Sequence, residues 1–302
     1  MLVGLLATIA ACGRGGGDSG SMSVVFPPPP LPPTNVNIDD PVLTVADNNE
    51  VSTGDTLTLV WADEFNGIQL DPEVWFFETG DGSQYGISGW GNNELQYYLP
   101  ENTWLENGVL TIEARAGSSN GFDYTSARIN TRDRFAFRYG RIEARVRLPY
   151  GQGLWPAFWL LPQDDAYGAW AASGEIDIME AINLGGAGGN EIHGTIHYGG
   201  AWPDNVFSGE SYLVPTDATT NFHTYAIEWD SSEIRWYVDN VLYAMRNTWY
   251  SSGGLFPAPF NQPFYILLNV AVGGNFPGSP DASTALPVKM EVDWVRVYSG
   301  EP

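Results

Sequence analysis

The chain has few of the residues that staple a fold, clasp a metal or carry positive charge. Its 302 residues include one cysteine, three histidines and 13 lysines and arginines, against 36 aspartates and glutamates. A single cysteine, Cys12, excludes an intrachain disulfide. The net charge of −23 repels phosphate backbones and excludes nucleic acid as a partner. Charged residues are only 16% of the chain, below the roughly 25% of an ordinary soluble domain. No window of helix length carries a clean 3.6-residue apolar stripe, so helix is expected only as single turns. No self-similarity at a period of about 20–50 residues is present, which excludes propellers and solenoids. What is abundant is glycine (35), proline (21) and aromatic side chains (14%, with 12 Trp). So many rings exclude global disorder in spite of the charge.

Residues 1–11 read MLVGLLATIAA, an apolar run too short to cross a bilayer as a helix. It has the form of a signal-peptide core followed by small residues. The absence of Lys or Arg ahead of it points to a start upstream of Met1. Ile9-Ala10-Ala11-Cys12 resembles a bacterial lipobox, in which cleavage precedes a cysteine that is then lipidated. The alternative is an ordinary signal peptide with a chance cysteine. The expected location is outside the cytoplasm, lipid-anchored at the bacterial cell surface or outer membrane, or otherwise secreted. Residues 12–54 join a Gly/Ser-rich coil to the proline run PPPPLPP, a flexible-then-stiff tether with no core of its own. One short strand is expected at Val42–Val45.

The chain changes character from about residue 55. TLTLVW, GVLTIEA, YGRIEARVRL, GEIDIME, EIHGTIHY, HTYAIEW, EIRWYVD, FYILLNVAV and KMEVDWVRVY recur between Gly, Asn, Asp and Pro. These are strand and turn signals, and many short strands in one stretch predict an all-β sandwich over residues 55–302. In YGRIEARVRL, Arg141, Glu143, Arg145 and Arg147 share one face, while Ile142, Ala144, Val146 and Leu148 share the other. A sandwich needs one apolar face per strand. The surplus of aromatics therefore predicts a solvated face that carries rings, whose flat apolar surfaces and N–H groups suit pyranose sugars.

Ser173-Gly-Glu-Ile-Asp-Ile-Met-Glu180 is the most informative segment. Glu175 and Asp177 lie two apart and project to one face, whereas Glu180 lies five after Glu175 and falls on the other. A β-bulge near Ile178–Met179 would restore Glu180 to the first face. Three aligned carboxylates cannot all ionise cheaply, so at least one pKa rises. An ionised and a protonated carboxyl side by side are what glycoside cleavage requires. The residues alone leave two other readings open, a solvated strand face and a metal site.

The segment resembles the E-x-D-x-x-E signature of glycoside hydrolase family 16, in its laminarinase-like branch. Trp61-Ala-Asp-Glu-Phe65, Gly89-Trp-Gly-Asn-Asn-Glu-Leu-Gln-Tyr-Tyr98, Tyr124-Thr-Ser-Ala-Arg-Ile-Asn-Thr131, Tyr139-Gly-Arg-Ile-Glu-Ala-Arg145, Gly153-Leu-Trp-Pro-Ala-Phe-Trp159, His193-Gly-Thr-Ile-His-Tyr198 and Val292-Asp-Trp-Val-Arg-Val-Tyr298 resemble it too. The resemblance covers about residues 55 to 299. It implies a concanavalin A-like jelly-roll sandwich with a concave substrate groove. It also implies retaining endo-hydrolysis of β-1,3-glucan, a monomer, and no cofactor for catalysis. Glu175 would be the nucleophile, Glu180 the general acid/base, and Asp177 the group that tunes the nucleophile between them.

The same resemblance places Trp155 and Trp159 at sugar subsites; core packing is the alternative for one of them. It makes Arg128, Asn92 and Asn269 groove residues, with a structural ion pair as Arg128's rival role. His197 is expected to orient a carboxylate or a sugar, and His193 to be structural. A structural calcium ion would take Glu64, the Gly108 carbonyl and Asp293, hard oxygen donors of the type it prefers. Two departures from the family pattern are Ala127, where many relatives have glycine, and Phe276, where Trp is expected. Residues 92–123 are expected to be loop-rich and to shape the groove. Competing readings are a hydrolase of mixed-linked glucan, an agarase-like galactan hydrolase and a non-catalytic glucan-binding lectin. The lectin needs neither Glu175 nor Glu180.

Overall fold

The computed structural model describes residues 57–186 and 189–300. The expected leader, Cys12, the tether over residues 12–54 and the strand at Val42–Val45 lie outside the described residues. The alternating runs form strands, in chain order β1 (Thr58–Asp63), β2 (Phe76–Glu78), β3 (Gln96–Tyr98), β4 (Thr103–Glu106), β5 (Val109–Ser119) and β6 (Phe122–Ser126). Then come β7 (Arg128–Asn130), β8 (Ala136–Phe137), β9 (Gly140–Arg147), β10 (Leu154–Pro162), β11 (Glu175–Ala181) and β12 (Glu191–Gly199). The last six are β13 (Asn205–Leu213), β14 (His223–Trp229), β15 (Ile234–Val238), β16 (Val241–Arg246), β17 (Phe264–Val272) and β18 (Val288–Ser299). Helix among the described residues is limited to three 3-10 turns, at Ser83–Tyr85, Ser88–Gly91 and Pro100–Asn102. Residues 92–123 are less irregular than expected, because they hold β3, β4 and β5.

Two sheets result. A ten-stranded one has the order β16-β15-β14-β9-β18-β5-β6-β3, with β1 on β18 and β4 on β5. An eight-stranded one has the order β13-β12-β11-β10-β17-β7-β2, with β8 on β17. This is the jelly-roll β-sandwich expected. Their inner faces form one apolar core. Phe158 and Leu160 of β10, Ile176 of β11, Ile192 and Ile196 of β12 and Ile266, Leu268 and Val270 of β17 join Ile142, Ala144 and Val146 of β9, Ile227 of β14 and Trp236 of β15. Burying each large aliphatic or aromatic side chain contributes about 1.5–3 kcal/mol.

The faces turned away from that core differ. On the ten-stranded sheet, Arg141 bonds Glu143, Glu228 and Asn240, while Arg145 pairs with Asp293 and Arg147 with Glu291. On the eight-stranded sheet, β17 is buried on both faces, so side chains also cover its outer side. The carboxylate strand β11 lies two strands from β17, between β10 and β12.

Candidate active site

The strand register puts the three acids on one face. Glu175 faces His197, Asp177 faces Thr195 and Glu180 faces His193 on β12, with a register shift between Asp177 and Glu180. Ile176, Ile178, Met179 and Ala181 all join the core. Two successive core-facing residues, Ile178 and Met179, are what returns Glu180 to the outer face, as a bulge at that point predicts. A bulge disturbs the ladder, and the other sheet supplies a tie there. Trp236 Nε1 on β15 donates to the Asp177 carbonyl at 2.8 Å. Gly194 makes room for it, since a Cβ there would lie 2.4 Å from the Trp236 ring.

Each glutamate accepts a hydrogen bond from an indole. Trp170 Nε1 donates to Glu175 Oε2 at 2.8 Å, and Trp155 Nε1 to Glu180 Oε1 at 2.9 Å. His197 Nε2 lies 3.3 Å from Asp177 Oδ2 and 3.7 Å from Glu175 Oε1. Burial, reinforced by the Asp177 charge, pushes the Glu175 carboxyl up to about 7, with His197 and the Trp170 bond opposing. The same two causes hold the Glu180 carboxyl well above the usual carboxylate range. Burial works against a charged His197, but its hydrogen bond to Asp177 and the three carboxylates outweigh it and raise the imidazole to about 9. The cation therefore sits against Glu175 and Asp177, and favours ionisation at that end of the strand.

Both tryptophans of β10 face outward, so neither is a core residue. Trp159 Nε1 donates to Asn269 Oδ1 at 2.7 Å. The indole N–H groups of Trp155, Trp159 and Trp170 are thus committed within the protein, and the rings offer faces rather than donors. Arg128 is buried between the rings of Trp90 and Trp159, at 4.4 and 4.7 Å, and pairs with Glu78. Its ion-pair role is thereby filled, with the guanidinium edge-bound by Glu78 and its planes covered. Asn92 is half-buried in the loop before β3, and its Nδ2 donates to Glu94 Oε1 at 3.4 Å. Ala127 is fully buried.

Several neighbours were not legible in the sequence. His193, expected to be structural, faces outward beside Glu180, with its ring centroid 5.4 Å from that of Phe276. Phe276 also meets Trp155 edge-on at 5.5 Å. At the other end Trp170 and Phe207 flank His197 at 5.7 and 5.9 Å. Trp170 lies just ahead of the acidic motif, and Phe207 lies on a strand with weak alternation; proximity to the motif was the only signal for the first.

Among the described residues one cluster of at least three His, Cys, Asp or Glu donors exists, Glu175, Asp177 and His197, with ligand atoms within 4.8 Å of one another. The donors expected to hold calcium are arranged differently. Both oxygens of Glu64 accept from Arg296, at 2.7 and 3.0 Å, and Asp293 accepts from Arg145. Gly108 sits in a left-handed turn, φ 76°, beside Asn66. As arranged, both acids form ion pairs, Glu64 through both of its oxygens and Asp293 through one.

The family model for glycosyl hydrolases family 16 matches residues 73–296. The chain belongs to this family. Among family 16 relatives, it is 42% identical over 290 residues to a glucan endo-1,3-beta-glucosidase A1 of Niallia circulans, covering 87% of this chain and 42% of that one. It is 44% identical over 261 residues to a beta-glucanase of Rhodothermus marinus, covering 80% of this chain and 84% of that one. It therefore spans less than half the Niallia protein. The endo-1,3-beta-glucanase (laminarinase) catalytic domain of Thermotoga petrophila RKU-1 superposes with a TM-score of 0.73 at 40% identity, over 82% of this chain and all of that one.

Proposed function

We propose that the chain is an endo-β-1,3-glucanase that cleaves with retention. The observation that carries this reading is the bulged strand, which sets Glu175 and Glu180 on one outer face with His197 against Glu175. Glu180, held above the usual range, keeps its proton for the leaving glycosidic oxygen. Glu175, favoured as the anion by His197 and the Trp170 N–H, attacks the anomeric carbon and forms a glycosyl-enzyme. Glu180, now ionised, takes a proton from water, which hydrolyses that ester. Asp177 holds His197 and sets the charge between the two. The relatives named for 1,3-β-glucan hydrolysis support the substrate. No cofactor takes part in these steps.

A neutral glucan also fits the charge. Arg128 is the sole Lys or Arg on the strands of the eight-stranded sheet and is already paired with Glu78, and His197 is held by Glu175 and Asp177, so a sulfated chain would find no unengaged cation on those strands. Chromatography of products from laminarin, lichenan and agarose side by side tests the linkage. Laminarin oligomers are expected first, and cleavage of agarose alone would overturn the reading. Reducing ends from laminarin separate an enzyme from a lectin.

Export by the leader, lipidation at Cys12 and a monomeric state complete the reading. An acylated N-terminal Cys12 in the mature protein's mass spectrum would support the anchor; any other unmodified terminus would remove it. Light scattering would test the monomer. A calcium ion at Glu64, the Gly108 carbonyl and Asp293 competes with Arg296 and Arg145 for the same acids. A melting temperature raised by calcium and lowered by EDTA would favour the ion; no change would favour the ion pairs.

A further inference from the structure

We propose that Glu94, a buried carboxylate the mechanism does not use, is a positioning residue that holds Asn92 and Trp159 in place for sugar through two separable hydrogen-bonded legs. The inference rests on the glucanase reading above. Glu94 is 7% exposed and lies in the loop between β2 and β3. That loop is docked on the end of β17, where Leu95 N donates to Val272 O at 2.8 Å and Gln96 Oε1 accepts from Val272 N at 2.7 Å. A carboxylate buried here is costly unless its lone pairs are used, and they are. Oε1 accepts from Asn92 Nδ2, while Oε2 accepts from Gln96 Nε2 at 2.7 Å and from the Tyr98 hydroxyl at 3.1 Å.

The second leg runs on to the sugar-facing side. Tyr98 has one proton, and an ionised Glu94 can only accept it. The Tyr98 oxygen is then left to accept from Asn269 Nδ2, at 3.2 Å. That fixes which way the Asn269 amide points, and its Oδ1 meets the Trp159 N–H. Without the acceptor at Glu94, the Tyr98 proton could turn to Asn269, flip the amide and set an NH2 against the Trp159 N–H.

Two substitutions separate the legs. In Glu94→Gln the amide oxygen is expected at the Oε2 position, shared by Gln96 and Tyr98, leaving its NH2 against that of Asn92. Only the Asn92 leg breaks. Tyr98→Phe breaks only the Trp159 leg. A lost hydrogen bond of about 0.5–1.5 kcal/mol corresponds to roughly two- to tenfold. Each variant is therefore expected to raise KM on laminarin by about that factor, with kcat within about twofold. Asn92→Ala should raise KM like Glu94→Gln and add little to it in the double variant, because both act on one leg. The Trp159 indole N–H resonance, assigned with Trp159→Phe, should move in Tyr98→Phe and stay in Glu94→Gln. An unmoved Trp159 resonance in Tyr98→Phe, or a fall in kcat and melting temperature with KM unchanged in both variants, overturns the proposal. A parent protein that releases no reducing ends from laminarin would instead overturn the glucanase reading, and the resonance would still decide the relay.

Discussion

The two outer faces of the sandwich are built from similar residues and do opposite things with them. On the ten-stranded sheet, Arg145 and Arg147 lie over Phe222, Arg141 over Tyr237, Lys289 over Trp104 and Arg296 over Trp294. The acids there pair with those same arginines, so rings and charges satisfy one another. On the eight-stranded sheet the acids face each other, with one imidazole among them, and the indole N–H groups of Trp155 and Trp170 point at carboxylates. The arginines stacked on rings there, Arg128 on Trp90 and Trp159, Arg132 over Tyr265 and Arg134 over Phe76, make no ion pair with the three acids of β11. Carboxylates neutralised by arginine support the fold; carboxylates crowded without it shift their pKa and become reactive.

The contrast breaks most sharply at Glu175. Glu175→Ala should leave less than about a hundredth of the activity on laminarin, because removal of a nucleophile usually costs far more than that. More residual activity, measured as reducing ends, would remove it from that role. Arg141→Ala tests the other face. Removing this buried arginine takes the shared guanidinium from Glu143, which keeps the Tyr298 hydroxyl, and from Glu228, which keeps Tyr237 and Arg235, at a cost of up to about 3–5 kcal/mol. A melting temperature lowered by roughly ten degrees is expected, with KM and kcat of the folded protein unchanged.

Trp170→Phe sharpens the comparison from the catalytic side. Its N–H favours the Glu175 anion, so its loss raises that carboxyl above about 7. The acidic limb of the kcat/KM profile, which rises as Glu175 loses its proton, should move to higher pH. Activity at neutral pH should fall by about tenfold, the worth of a hydrogen bond to a charged group. An unmoved limb would mean that Trp170 does not act on the nucleophile. Phe222→Ala should have the smallest effect, since cation–π contacts at an exposed site contribute about 0.5–1 kcal/mol. A melting temperature lower by a few degrees and an unchanged KM are expected; a raised KM would bring that face into sugar binding.

The legible parts were those set by local rules. Strand alternation placed Ile142, Ala144 and Val146 inside and the charges of β9 outside. A five-residue spacing demanded the bulge at Ile178–Met179 that the register shift reveals. The rest depended on contacts between distant segments. Arg128 meets Glu78 across 50 positions, and Trp236 reaches the Asp177 carbonyl across 59. His193 looked structural because nothing in the chain announces that Phe276 folds over it. Glu64 and Asp293 read as oxygen donors, and their engagement by Arg296 and Arg145 follows from the pairing of β1 with β18 and of β18 with β9.

The central claim is that Glu175 attacks the anomeric carbon while Glu180 donates its proton. Proton NMR of the first reducing ends released from laminarin tests it most directly. Two displacements predict the β-anomer first, with the α-anomer growing in only as mutarotation proceeds. An α-anomer at the outset would mean a single displacement by water, and would contradict the assignment of Glu175 as nucleophile.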